Sequence, residues 1–288
     1  MKGSLRVAQY CLYVVRAFEL PSGGVALRAL PEEKHRVVHL RGRVIMSPLA
    51  TLDALALCIL VSDTTMSSED SNPAAVPTPC QDVQGDGRWL SLLNRFVSNS
   101  KDKEPDVLFV GDSLVQLLHQ FEVWRQLFSP LHSLNFGVGG DATQHVLWRL
   151  GNGELDHISP KVVVLWVGTN NHGHTPEQIC GGILAITQLI SNKLPHAYTI
   201  ILGLLPRGEN PNPLRTRNAR VNELLQEAVT SIPQASYLSV DCSFVQSDGR
   251  ISHQDMYDYL HLTPQAYQKV CRPLHAAIKR LLDKPNEN

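Results

Sequence analysis

Nowhere in the 288-residue chain is there a CxxC pair, and the six cysteines, Cys11, Cys58, Cys80, Cys180, Cys242 and Cys271, lie far apart. That spacing suits neither a zinc site nor a dense disulfide framework, and it makes a reducing, cytoplasmic setting the default. The GxxxxGK[ST] spacing that cradles phosphates is missing as well; "GVGGD" at 137–141 lacks it, which sets a nucleotide site aside. Charge of one sign is not in excess: 26 Lys and Arg face 27 Asp and Glu. No basic block stands out beyond a short early one, so nucleic acid is a poor candidate partner. There are no internal repeats. Long apolar runs are scarce, and the longest, "VIMSPLATLDALALCILV" (Val44 to Val61), is interrupted by Pro48 and Asp53. A central Asp costs ~2.5–3.5 kcal/mol on insertion scales. A secretory signal belongs at the very N-terminus. No stable membrane insertion is expected.

What is present divides near Met66. Residues 1–65 have poor periodicity and read as an N-terminal extension, expected to be poorly ordered. Residues 66–87, "MSSEDSNPAAVPTPCQDVQGDG", have the Ser, Pro and Asp content of a linker-like arm. Met66 ahead of that stretch resembles a chain start, so the first 65 residues are expected to be dispensable for the domain that follows. From Arg88 to Leu282 the pattern is regular, and 283–288 reads as a tail.

Short apolar runs occur at 106–111, 133–138, 161–168, 198–206 and 236–241. Each is too continuous for a half-exposed strand, so each is expected to be buried on both faces, as in a parallel sheet. Helical spacing fills the intervals. Thr175-Pro176 with Gln178 has the form of a capping box with proline at the first helical position, and Thr263-Pro264 opens the final helix in the same way. Five alternations of strand and helix predict an α/β protein, a three-layer α/β/α sandwich with a five-stranded parallel sheet.

The reactive rim of such a sheet is the set of loops after its strands. "FVGDSLVQ" turns from strand to helix at Gly111-Asp112-Ser113. "GVGGDATQ" follows the second strand with Gly140, "GTNNHGH" follows the third with Asn170, and "MYDYLHLTP" near the C-terminus carries Asp258 and His261 three apart. Singly, each has an ordinary structural explanation: turn chemistry for Gly-Asp-Ser and Gly140, a helix cap for Asn170, a solvated surface for Asp258 and His261. All four in this order, each at a strand's end, point to one site.

That order, Gly-Asp-Ser, Gly, Gly-x-Asn, Asp-x-x-His, resembles the SGNH or GDSL hydrolase superfamily, which has a flavodoxin-like fold. Longer stretches narrow it: "KDKEPDVLFVGDSLVQL", "WRQLFSPLHSLNFGVGGDATQHVLWRLGNGEL", "WVGTNNHGHT", "LGLLPRGENPNPLR" and "SDGRISHQDMYDYLHLT" are similar to the family of catalytic α subunits of platelet-activating-factor acetylhydrolase type Ib. The likeness runs from about Met66 to Leu282 and leaves residues 1–65 outside it. It implies a cofactor-free serine esterase that removes the sn-2 acetyl group of platelet-activating factor and related phospholipids. It also implies homo- or heterodimers of catalytic subunits and a WD40-propeller partner, the lissencephaly protein. A dimeric scaffold whose main role is to hold that propeller is the alternative.

The residue chemistry agrees with the resemblance. Ser113 is the expected nucleophile, and a hydroxyl needs a base within ~2.6–3.2 Å. His261 is the expected base, with Asp258 fixing its tautomer and stabilising the imidazolium. The oxyanion donors are expected to be the Ser113 and Gly140 backbone N–H groups and the Asn170 amide. Asp112 is expected to support the turn rather than the chemistry. Leu114, Thr169 and Leu260, each next to one of these residues, are expected to wall a shallow acyl pocket. His172 and His174 lack a third ligand at metal spacing, so no metal is expected.

Overall fold

The computed structural model describes residues 15–19, 25–29, 71–101, 103–240 and 242–283. The chain falls into two compact units, Met1–Thr65 and Met66–Asn288. In the first, β1 (Val15–Glu19) pairs antiparallel with β2 (Val25–Ala29), Val15 opposite Ala29. In sequence, the turn signal Pro-Ser-Gly-Gly lies between these two strands. The apolar run Val44 to Val61 and the tail beyond Asp283 lie outside the described residues. No described helix is long and apolar enough to cross a membrane.

The second unit is built on five strands: β3 (Val107–Gly111), β4 (Ser133–Gly137), β5 (Val162–Trp166), β6 (Tyr198–Leu202) and β7 (Ala235–Leu238). All pair in parallel in the order β4-β3-β5-β6-β7. Every residue of β3 and β5 is buried, as continuous apolar runs in a two-sided sheet require. Alternation divides them between two cores. Leu108, Val110, Val163 and Leu165 meet α1 (Arg88–Ser100), α3 (Thr143–Arg149), α4 (Pro176–Lys193) and α5 (Pro213–Val229) on one face. Val107, Phe109, Val162 and Val164 meet α2 (Ser113–Leu118) and α6 (Pro264–Leu282) on the other. The result is the α/β/α sandwich expected.

Helix entries follow local chemistry. The Thr175 hydroxyl accepts from Gln178 N–H at 3.2 Å while the Gln178 side chain accepts from Thr175 N–H at 3.0 Å, a reciprocal cap ahead of Pro176. Thr263 caps α6 ahead of Pro264. β3 connects to β4 on one side and β5 to β6 on the other, so the connections diverge at the C-terminal ends of the adjacent strands β3 and β5. That crevice is where doubly wound sheets seat ligands.

The arm departs from the linker reading in its described part. From Asn72 it is bonded to the domain: Asn72 donates to the Gln178 carbonyl at 2.9 Å, and the Thr143 hydroxyl donates to the Ala74 carbonyl at 2.7 Å. Ala74 is fully buried. The short turn at Pro73–Ala75 packs against α3 and α4. A Cβ on Gly182 of α4 would come within 2.5 Å of the Ala74 carbonyl and 2.6 Å of the Thr143 hydroxyl. Gly182→Ala should therefore lift the arm, costing ~1–3 kcal/mol as overpacking does. Thermal denaturation and limited proteolysis measure this, with new cleavage expected between residues 71 and 80.

Candidate active site

Gly111 ends β3 against the neighbouring strand. A Cβ there would lie 2.1 Å from the Trp166 carbonyl oxygen and 2.5 Å from a Val115 methyl, so only glycine allows α2 to start this close to the sheet. Asp112 caps α2, its Oδ1 accepting from Leu114 N–H at 2.9 Å. Burial pushes the Asp112 carboxyl up to about 7, against the stabilising Leu114 N–H. Ser113 is the first residue of α2 and is half-buried, facing the crevice.

Asp258 and His261 approach it from the far end of the chain. His261 Nε2 is 2.9 Å from Ser113 Oγ, and His261 Nδ1 is 2.6 Å from Asp258 Oδ2. The turn holding the pair is folded on the Asp258 side chain, whose Oδ1 accepts from Leu260 N–H at 3.1 Å and His261 N–H at 2.7 Å. Tyr259 takes a left-handed φ of 60° to close it, a conformation that costs a side-chain-bearing residue energy. Burial works against the Asp258 charge, but the His261 backbone N–H and ring outweigh it and hold the carboxyl below its ordinary range. An ionised Asp258 places the proton on Nδ1, which leaves Nε2 free to accept from the serine.

Gly140 lies in the loop after β4, exposed, with φ of 84°. None of the described residues accepts from its N–H. Asn170 follows β5, and its Nδ2 donates one hydrogen to the Asp141 carbonyl at 3.1 Å, so the second hydrogen of the amide remains available. Ser113, Gly140, Asn170, Asp258 and His261 thus meet on one rim from four loops. Asn170 caps no helix. Its neighbour Asn171 does the structural work, accepting from Thr143 N–H at 3.0 Å and donating to the Thr143 hydroxyl at 2.7 Å.

The three residues expected to wall the acyl pocket fare differently. Leu114 is 2% exposed and packs in the core beneath α2. Thr169 is also 2% exposed, and its hydroxyl and carbonyl both accept from Arg207. Both side chains are therefore almost wholly covered by protein. Leu260 is half-buried on the rim. His172 is exposed and His174 is bonded to Asn171; no group of three or more potential metal ligands forms among the described residues.

Sequence reasoning missed Arg149. Its guanidinium is fully buried and spends its donors on four partners: Nε on Asp141 Oδ2 at 2.8 Å, Nη1 on Glu154, and Nη2 on the carbonyls of Phe136 at 2.8 Å and Gly111 at 3.1 Å. Asp141 Oδ1 also accepts from the Trp89 indole at 2.8 Å. Burial pushes the Glu154 carboxyl up to about 7, opposed by the adjoining guanidinium. The one signal in the sequence was a charge inside the apolar run "VLWRL" (Val146 to Leu150).

Comparison with known proteins shows the family of the chain. The model of the GDSL-like lipase/acylhydrolase family matches residues 109–269. The platelet-activating factor acetylhydrolase IB subunit alpha1 of Bos taurus is 66% identical over 215 residues, 75% of this chain and 93% of that protein. The alpha2 subunit of Gallus gallus is 62% identical over 222 residues, 77% of this chain and 97% of that one. A GDSL-like lipase from Bacteroides thetaiotaomicron shares the fold at a TM-score of 0.56 and 17% identity, covering 65% of this chain and 97% of its own.

Removing the buried guanidinium would strand two carboxylates in the core. Arg149→Ala should lower stability by ~3–5 kcal/mol, as breaking buried pairs does. The triple replacement of Arg149, Asp141 and Glu154 by apolar residues should recover much of that stability. Chemical denaturation of both variants checks the pair of outcomes.

Proposed function

The chain belongs to the GDSL-like lipase/acylhydrolase family, beside the platelet-activating factor acetylhydrolase IB alpha subunits, and is an ester hydrolase; from that premise we propose that it removes the sn-2 acetyl group of platelet-activating factor and related phospholipids. The observation that carries the catalytic assignment is the unbroken relay from Ser113 Oγ through the His261 ring to Asp258.

In this reading His261 Nε2 takes the Ser113 proton as Oγ attacks the acetyl carbonyl, and Asp258 stabilises the imidazolium. The carbonyl oxygen becomes an oxyanion that accepts from the Ser113 and Gly140 N–H groups and from the unused Asn170 amide hydrogen. The tetrahedral carbon then expels the glycerol oxygen, which receives the proton held on His261. A water molecule attacks the acetyl-serine, giving its proton to the same nitrogen, and acetate leaves with Ser113 restored. No step calls for a cofactor. Leu260, the rim leucine with exposed surface, bounds the acyl group.

We extend the proposal to the assembly: a dimer of catalytic subunits in the cytoplasm that engages the WD40-propeller lissencephaly protein. The subunit names of the relatives support an assembly of some kind.

Ser113→Ala and His261→Ala should each abolish turnover while leaving the thermal midpoint within ~2 °C, because neither side chain packs in a core. The double variant should be little worse than either alone. A fluorophosphonate probe should label Ser113 alone; labelling of another serine would overturn the assignment. Asn170→Ala should lower kcat ~10²–10³-fold by deleting one oxyanion donor. Leu260→Ala should raise the kcat/KM ratio of butyryl over acetyl ester, a ratio that stays unchanged if this leucine does not bound the acyl group.

A further inference from the structure

The loop after β6 carries a second chemistry that the relay does not use. Arg207 is half-buried, and its Nη1 donates to the Thr169 carbonyl at 3.0 Å and the Thr169 hydroxyl at 3.1 Å. Its backbone continues into Gly208, whose N–H donates to the Tyr259 carbonyl at 2.7 Å. Arg207 therefore stands between the asparagine loop and the Asp258–His261 turn, on the rim where the ester must lie. Arg217 comes in from α5, with Nη2 on the Thr169 carbonyl at 3.2 Å and Nη1 on the Asn171 carbonyl at 3.1 Å. The two guanidiniums grip the residues on either side of Asn170.

Neither has a carboxylate within 4.0 Å among the described residues. The acids that act on Arg207 from a distance are already engaged: Asp112 caps α2, and Asp258 holds His261. Arg207 and Arg217 bring two positive charges to one loop. Burial pulls Arg217 below its ordinary range and the Arg207 charge adds to this; burial likewise lowers His172, with Arg207 and Arg217 both contributing. Arg207 Nε and Nη2 find no acceptor among the described residues. A half-buried cation without an ion-pair partner, holding two donors in a planar fork, matches a phosphate better than any neutral group.

We propose that Arg207, backed by Arg217, binds the phosphate of the ester substrate beside the oxyanion hole. This rests on the reading of the chain as a phospholipid esterase and adds what part of the headgroup it recognises. In an sn-2 acetyl glycerophospholipid the acyl-bearing and phosphate-bearing carbons are adjacent, and Arg207 holds Thr169, the residue before Asn170. A phosphate seated there is held by the phosphate-bearing half of the molecule while the acetyl carbonyl enters the oxyanion hole. Arg217, with its hydrogens on carbonyls, contributes charge and fixes Thr169 rather than touching the ligand.

The test compares two acetyl esters that differ only in the phosphate: a short-chain alkyl acetyl glycerophosphate and the corresponding alkyl acetyl glycerol. Arg207→Gln should lower the ratio of their kcat/KM values at least about tenfold, mainly through KM of the phosphorylated ester. Arg207→Lys, which keeps the charge without the fork, should fall between. Titration calorimetry with inorganic phosphate should show binding to the wild type that Arg207→Gln weakens by a similar factor, and circular dichroism checks that both variants are folded. An unchanged ratio, with both esters falling together, would mean that Arg207 only braces Thr169 and would overturn the proposal. Wild-type protein inert on both esters would instead overturn the proposed function, and the calorimetry, which needs no turnover, would still decide whether Arg207 binds phosphate.

Discussion

One buried guanidinium ties the reactive end of the sheet together. Arg149 takes the last carbonyl of β3 and a carbonyl of β4 with one nitrogen, the Asp141 carboxylate with a second and Glu154 with a third. The first contact is to Gly111, two residues before Ser113; the Asp141 contact is one residue after Gly140. Asp141 in turn offers its own carbonyl to Asn170. The three proposed oxyanion donors therefore share a single anchor. Donors stabilise a developing charge only if they are aimed before the charge appears, and a hydrogen-bonded ion network in a dry interior resists reorientation better than a solvated loop does.

Electrostatics on the rim follow from what is sealed and what is left open. The carboxyls below the site are covered: Asp112 is 1% exposed and Glu154 fully buried, and burial raises both. Asp258, the acid that orients the histidine, stands nearer solvent and accepts two backbone N–H groups as well as the ring, which keeps it ionised. Arg207 and Arg217 add positive charge on the side of Asn170. The same protein thus combines buried carboxyls beneath the site, one anion committed to the histidine and two guanidiniums beside Asn170. The two cores give these loops a rigid base: strands buried on both faces cannot shift register without exposing apolar side chains to water.

The tertiary contacts also explain why short loops suffice. Tyr267 of α6 donates to the Leu114 carbonyl at 2.7 Å, fastening the last helix to the turn that carries Ser113. The Asp258–His261 turn precedes that helix, so docking α6 delivers the histidine. The arm does the same on the opposite face, where Ala74, Thr143 and Asn171 link it to the asparagine loop.

Much of this molecule is legible in one sequence. Continuous apolar runs mark the five buried strands because a two-sided sheet leaves no polar face, and the Thr-Pro entries mark α4 and α6 because caps act within a few residues. Ser113, Gly140 and Asn170 could be picked out because each falls in the loop after a strand, and Asp258 and His261 because three residues span one Asx turn just before a capped helix. What depends on contacts between distant segments could not be read. Arg149 gives no sign of facing two carboxylates, composition alone assigns the arm around Ala74 to a linker, and adjacency to a reactive residue does not tell whether Leu114 and Thr169 face the ligand or the core. Local chemistry is written over three or four residues; burial and charge pairing are properties of segments that only the folded chain brings together.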